Sequence, residues 1–135
     1  MPKPPVVAKL AWKHSLVFDA VSGAHSMVLD GDSHEGPSPM QALAFAIAGC
    51  LCMDVAAILA KGRHPFHGLR CEIVAERAQE HPHRFTSVAM SVIVEGQAPA
   101  DAVERAVQLS RDKYCSVWHS MRQDVALTTS FLVVP

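Results

Sequence analysis

The chain has 135 residues, 50% of them hydrophobic and 19% charged, with a net charge of -1, the make-up of one globular domain, 1–135, able to build its own core. Lysines and arginines are scattered, which excludes the basic footprint of a nucleic-acid binder. The four cysteines, Cys50, Cys52, Cys71 and Cys115, are too few and too widely placed for a stapled secreted scaffold, and MPKPPVVAKLAWKHS lacks the apolar core and cleavage site of a secretory signal, so a cytoplasmic location is expected.

Residues 2–5, rich in proline, read as a loose lead-in. From Val6 to Leu29 the pattern predicts three short strands: Val6 to Trp12, Leu16 to Ala20 and, after a turn at Ser22 and Gly23, His25 to Leu29. The turn-rich DGDSHEG, Asp30 to Gly36, leads into the chain's longest apolar run, GPSPMQALAFAIAGCLCMDVAAILAKGR, which ends at Arg63. Ser38 is placed to cap a helix, Pro39 suits its first position, and Gln41 completes an S-x-x-Q capping box. No breaker follows until Gly62. Gly49 inside the helix predicts the close approach of a neighbouring element. About 23 residues at roughly 1.5 Å each give a rod of about 35 Å, about the width of a domain this size. The window Ala42 to Ala60 carries Asp54 as its only charge and has the hydropathy of a membrane span. Its alanine content, its central Asp54 and the flanking amphipathic strands favour a core helix buried on nearly all sides.

Gly62 to Gly68 punctuates the end of that helix. Leu69 to Ala78 and Phe85 to Glu95 then predict a β-hairpin, with Leu69, Cys71, Ile73 and Ala75 on the dry face of its first strand. Ala100 to Tyr114 has helical spacing, with Asp101 early and Arg111 and Lys113 late, as the helix dipole favours. A short helix, Ser116 to Met121, and a strand, Ala126 to Val134, complete a β-β-β-α-β-β-α-α-β order. The expected fold is α+β with an antiparallel sheet and a long central buried helix. So apolar a helix is hard to bury within one small chain, so a two-fold homodimer is expected.

Cys50 lies deep in the long helix and Cys115 at the start of the last one, too far apart in sequence for a local redox loop. The positive end of a helix dipole would favour thiolate at Cys115. Asp54 follows Cys50 by four positions and shares its helical face. It is expected either to position the thiol or to cap or pair elsewhere. Cys52 points about 200° away and reads as packing, while Cys71 reads as inert. His119, four after Cys115, is a candidate base or an exposed turn residue. The eight histidines show no recurrent zinc spacing, and no phosphate loop or Ser-His-Asp arrangement is legible. Neither metal nor cofactor is expected.

SPMQALAFAIAGCLCMDVAAILAKGR and SRDKYCSVW, with the DGDSHEG turn before them, together resemble the OsmC/Ohr family, and within it the YhfA-like branch. The likeness runs from about Val6 to Val134. It implies an OsmC-like fold in an intertwined homodimer, the long helices of the two copies at its centre. It also implies that Cys50 is the peroxidatic cysteine and Cys115 the resolving one, acting on a small apolar hydroperoxide and recycled by a dithiol reductant. Ser110, Tyr114 and Trp118 resemble the family's hydrophobic surround of the second cysteine. The family's peroxidases hold their thiolate with an arginine from the N-terminal strands and a glutamate near the helix start. This chain has no arginine before Arg63 and has Met40 and Gln41 at the helix start, which leaves Gln41, Asp54 and His119 as possible supporting residues. Two readings follow: thiol-dependent reduction of organic hydroperoxides in oxidative-stress defence, or a non-enzymatic dimer that binds a small apolar ligand without membrane or nucleic-acid partners.

Overall fold

The computed structural model describes residues 2–135. They form two compact units, the first ending at Leu43 and the second spanning Ala44–Pro135. In the first unit β1 (Lys9–His14), β2 (Val17–Ser22) and β3 (His25–Asp30) make an antiparallel sheet in the order β1-β2-β3. The turn after it is organised by the buried Asp30, whose carboxylate accepts from the backbone N–H groups of Asp32, His34 and Glu35 at 2.9, 3.2 and 3.0 Å. These donors stabilise the charged form and hold the Asp30 carboxyl below its usual range. Gly36 is required where the loop passes β3, since a Cβ there would collide with the Val28 carbonyl.

Helix α1 (Pro39–Lys61) opens as its sequence predicts. The Ser38 hydroxyl accepts from the Gln41 N–H at 3.2 Å, and the Gln41 side-chain carbonyl accepts from the Ser38 N–H at 2.9 Å, a closed capping box. The Ser33 hydroxyl also donates to Gln41, at 2.8 Å, so Gln41 is spent on the helix start. The helix ends in a Schellman motif: His64 N–H reaches the Leu59 carbonyl at 2.9 Å and Arg63 N–H the Ala60 carbonyl at 3.0 Å. The left-handed residue there is Arg63, at φ 59, rather than Gly62. An exposed non-glycine residue at this position carries strain that glycine lacks. Arg63→Gly is therefore expected to stabilise the protein by about 0.5–1 kcal/mol in urea unfolding, part of the relief being offset by the freer unfolded chain.

In the second unit β4 (Gly68–Arg77) and β5 (Phe85–Glu95) form the expected hairpin. β6 (Ala126–Val134) lies on the other side of β5 and runs parallel to it, Val88 opposite Leu127 and Val94 opposite Val133. This corrects the all-antiparallel expectation. α2 (Ala100–Leu109), a π turn (Ser110–Tyr114) and α3 (Ser116–His119) intervene between the two strands. Such a crossover returns the chain to the end from which β5 began, as parallel pairing requires. The core joins Ile47, Leu51, Val55 and Leu59 of α1 with Val88, Met90, Val92 and Val94 of β5 and Val103, Ala106 and Val107 of α2.

Among the described residues α1 is the one helix long and apolar enough to cross a bilayer. Within the chain it buries only the i, i+4 stripe just named, not nearly all its sides. Phe45 is 65% and Met53 73% exposed. Beside Gly49 there is open space save for the helix's own Met53 side chain at 4.0 Å, so among the described residues no other element makes the expected close approach.

Candidate functional site

Four side chains from two stretches of the second unit build the site. On α1, Cys50 and Asp54 are one turn apart and look the same way. Opposite them, α2 passes into the π turn, closed by Cys115 N–H on the Ser110 carbonyl at 2.9 Å. A π turn takes five residues where an α turn takes about four, so Ser110 and Cys115 also stack on one side. Two rungs result. The Ser110 hydroxyl donates to Asp54 Oδ2 at 2.7 Å, and the Cys115 and Cys50 sulfurs face each other within 4.8 Å. The donor atoms of Cys50, Asp54 and Cys115 all lie within 4.8 Å of one another, the one cluster of three such groups among the described residues. The Arg111 guanidinium fixes the turn by donating to the Leu127 carbonyl at 3.0 Å and to Thr129 Oγ1 at 3.4 Å on β6.

Ser110 and Cys115 are buried; Cys50 and Asp54 are partly exposed. Cys115 caps α3, its sulfur accepting from the Trp118 N–H at 3.3 Å. That single donor lowers its pKa, as the sequence leads one to expect, yet it is outweighed. Burial first, then the hydrogen bond to Cys50 and the negative charges of Cys50 and Asp54, push the Cys115 thiol up to about 11. Cys115 is therefore a thiol at neutral pH, not a second thiolate.

An open cavity of about 630 Å³ lies on the Asp54 side, lined by Asp54, Ala57, Ile58, Leu109 and Tyr114 with Lys61 at the rim. The sequence-predicted residues thus divide. Cys50, Cys115 and Asp54 come together, and Gln41 belongs to the helix cap. His119 is exposed in a separate polar cavity beside Arg111, Asp112 and Arg122 and does not join the cluster. Ser110, read from its resemblance as part of an apolar surround, is instead the hydroxyl donor to Asp54. The Cys71 thiol, read as inert, donates to the Glu72 carbonyl oxygen at 3.6 Å, and Cys52, read as packing, is partly exposed.

A long helix carrying Cys50, with the buried Cys115 of a second helical segment beside it, sits in a domain of the α+β class. The chain belongs to the OsmC-like protein family, whose model matches residues 31–130. It is 39% identical to Protein YhfA of Escherichia coli K12 over 131 residues, 94% of this chain and 97% of that one. Its fold is shared with a hypothetical protein from Aquifex aeolicus VF5, at 24% identity, 97% coverage of both chains and a TM-score of 0.90. It is shared also with an organic hydroperoxide resistance protein OsmC from Legionella pneumophila, at 14% identity, 97% and 98% coverage and a TM-score of 0.72.

Proposed function

We propose that this protein reduces organic hydroperoxides, with Cys50 as the attacking thiolate and Cys115 as the resolving thiol. The observation that carries the reading is the convergence of both sulfurs and the Asp54 carboxylate within 4.8 Å. The name of the Legionella relative points in the same direction. The Cys50 thiolate attacks the terminal oxygen of ROOH; an S–O bond forms, the O–O bond breaks, and the departing alkoxide takes up a proton as ROH. Cys115 then attacks the Cys50 sulfenic acid. The S–S bond forms, the S–O bond breaks, and the hydroxyl leaves as water with the Cys115 proton. Two thiols have lost two electrons to one hydroperoxide, and an external dithiol returns them. A thiol held as high as Cys115 keeps its proton until that second step, and Asp54, oriented by Ser110, is placed beside both sulfurs. The largely apolar cavity suits an alkyl hydroperoxide better than hydrogen peroxide.

The test is steady-state consumption of cumene hydroperoxide by the reduced protein with a dithiol present. Sustained turnover, with hydrogen peroxide the poorer substrate, is expected; no consumption above the dithiol alone would overturn the reading. A second reading, retention of an apolar ligand in the same cavity without turnover, requires saturable binding of the reduced cumyl alcohol and thiols that stay free under hydroperoxide.

The working unit is a two-fold homodimer in the cytoplasm. Its interface is the α1 face that the chain leaves uncovered: Ala46, Met53, Ala57 and Ala60 are exposed at helical spacing, beside Phe45 and the open flank of Gly49. Joining two such faces removes apolar surface that one chain cannot cover. Sedimentation at micromolar concentration is expected to give a dimer, and Met53→Lys to shift it toward monomer. A wild-type monomer would contradict the assignment.

A further inference from the structure

The Cys50, Asp54 and Cys115 side chains offer two sulfurs and one carboxylate oxygen, all within 4.8 Å of one another. Around a tetrahedral zinc ion, thiolate sulfurs lie about 2.3 Å and carboxylate oxygens about 2.1 Å from the metal, which sets neighbouring ligand atoms about 3.6–3.8 Å apart. The three side chains therefore have to close by about 1 Å at most to meet one ion. Cys50 and Asp54 come from one helix, four residues apart on the same face of α1. Cys115 comes from a separate element, directly after the π turn. A helical pair and one ligand from elsewhere give three corners of a tetrahedron.

The groups around these three are placed as a metal site needs them. The Ser110 hydroxyl donates to Asp54 Oδ2 at 2.7 Å, which orients the carboxylate and leaves it lone pairs for an ion. The Trp118 N–H donates to the Cys115 sulfur at 3.3 Å, a contact that strengthens when the sulfur is charged. Two thiolates favour a borderline-soft ion such as zinc over magnesium or calcium, which take oxygen ligands. The open cavity of about 630 Å³ on the Asp54 side gives the ion a way in and a water the fourth position.

We propose that the reduced protein binds one Zn2+ per chain through the Cys50 and Cys115 sulfurs and an Asp54 carboxylate oxygen. The hydrated ion gives up three waters, the thiol protons pass to solvent, and no electron moves. The site goes beyond the hydroperoxide reading and stands without it. Where that reading also holds, metal and hydroperoxide exclude each other: bound zinc occupies the sulfur lone pair that would attack, and a Cys50–Cys115 disulfide has no thiolate left for zinc.

The test is titration of reduced, chelator-stripped protein with Zn2+ against a colorimetric zinc indicator, with no hydroperoxide present. One zinc per chain is expected. Cys50→Ser and Cys115→Ser should each weaken uptake by at least the roughly 10–100-fold that loss of an outer-shell partner costs, while Cys52→Ser/Cys71→Ser, whose sulfurs lie outside the group, should match wild type. No uptake by wild-type protein, or uptake unchanged in Cys115→Ser, would overturn the proposal. If a serine variant lacks native circular dichroism, maleimide mapping of reduced wild-type protein decides: zinc protecting Cys50 and Cys115 supports the site, and both labelled as fast at saturating zinc as without it refutes it. Since no hydroperoxide enters these measurements, their failure leaves the function proposed above untouched.

Discussion

Cys50→Ser protein is expected to lose dithiol-supported consumption of cumene hydroperoxide by at least about 100-fold, while Cys115→Ser loses turnover but still reacts once. A serine hydroxyl stays protonated at neutral pH and has none of the nucleophilicity of a thiolate, so nothing at position 50 can open the O–O bond. Removing Cys115 leaves the first step available and takes away the second. The oxidised intermediate should then accumulate at Cys50 as a dimedone-trappable sulfenic acid, which wild-type protein resolves too quickly to trap. Both substitutions are small and leave the core stripe of Ile47, Leu51, Val55 and Leu59 intact, so native circular dichroism should accompany both losses. Equal reactivity of the two variants toward one equivalent of hydroperoxide would remove the distinction of roles.

Ser110→Ala should cost about 1–3 kcal/mol of stability in urea unfolding and slow disulfide closure. Ser110 is fully buried, and its hydroxyl is donor to Asp54 Oδ2 at 2.7 Å. Its loss leaves a partly buried carboxylate without that donor, and the expense of an unmade bond exceeds the modest gain of a made one. It also frees Asp54 to turn toward the two sulfurs, where its charge opposes the thiolate. Ser110→Thr keeps the hydroxyl and should recover most of the rate if the bond is what matters. Asp54→Asn should bring down the pKa of Cys115, since the carboxylate is one of the charges that raise it, and maleimide should therefore label Cys115 at lower pH. An unchanged labelling profile would detach Asp54 from the site.

Local chemistry makes much of this legible in the sequence. The Ser38–Gln41 capping box fixes where α1 begins, and strand alternation in Leu69 to Ala75 orients β4 correctly. What escaped lies in longer-range geometry. Whether β6 runs with or against β5 depends on the path of everything between Glu95 and Ala126, not on the pattern of β6. The π turn, closed by the Cys115 N–H on the Ser110 carbonyl, is not announced by SRDKY, and without it Ser110 and Cys115 would not share a side. Arg63, not the adjacent Gly62, takes the left-handed turn because the Schellman bonds place that position one residue later.

The central claim is that Cys50 and Cys115 act as one dithiol. It is tested most directly by non-reducing peptide mapping of wild-type protein after a single equivalent of cumene hydroperoxide. A linked Cys50–Cys115 peptide, formed within one chain and lost on reduction, is expected. Hydroperoxide consumed with Cys50 and Cys115 both still free would contradict the account.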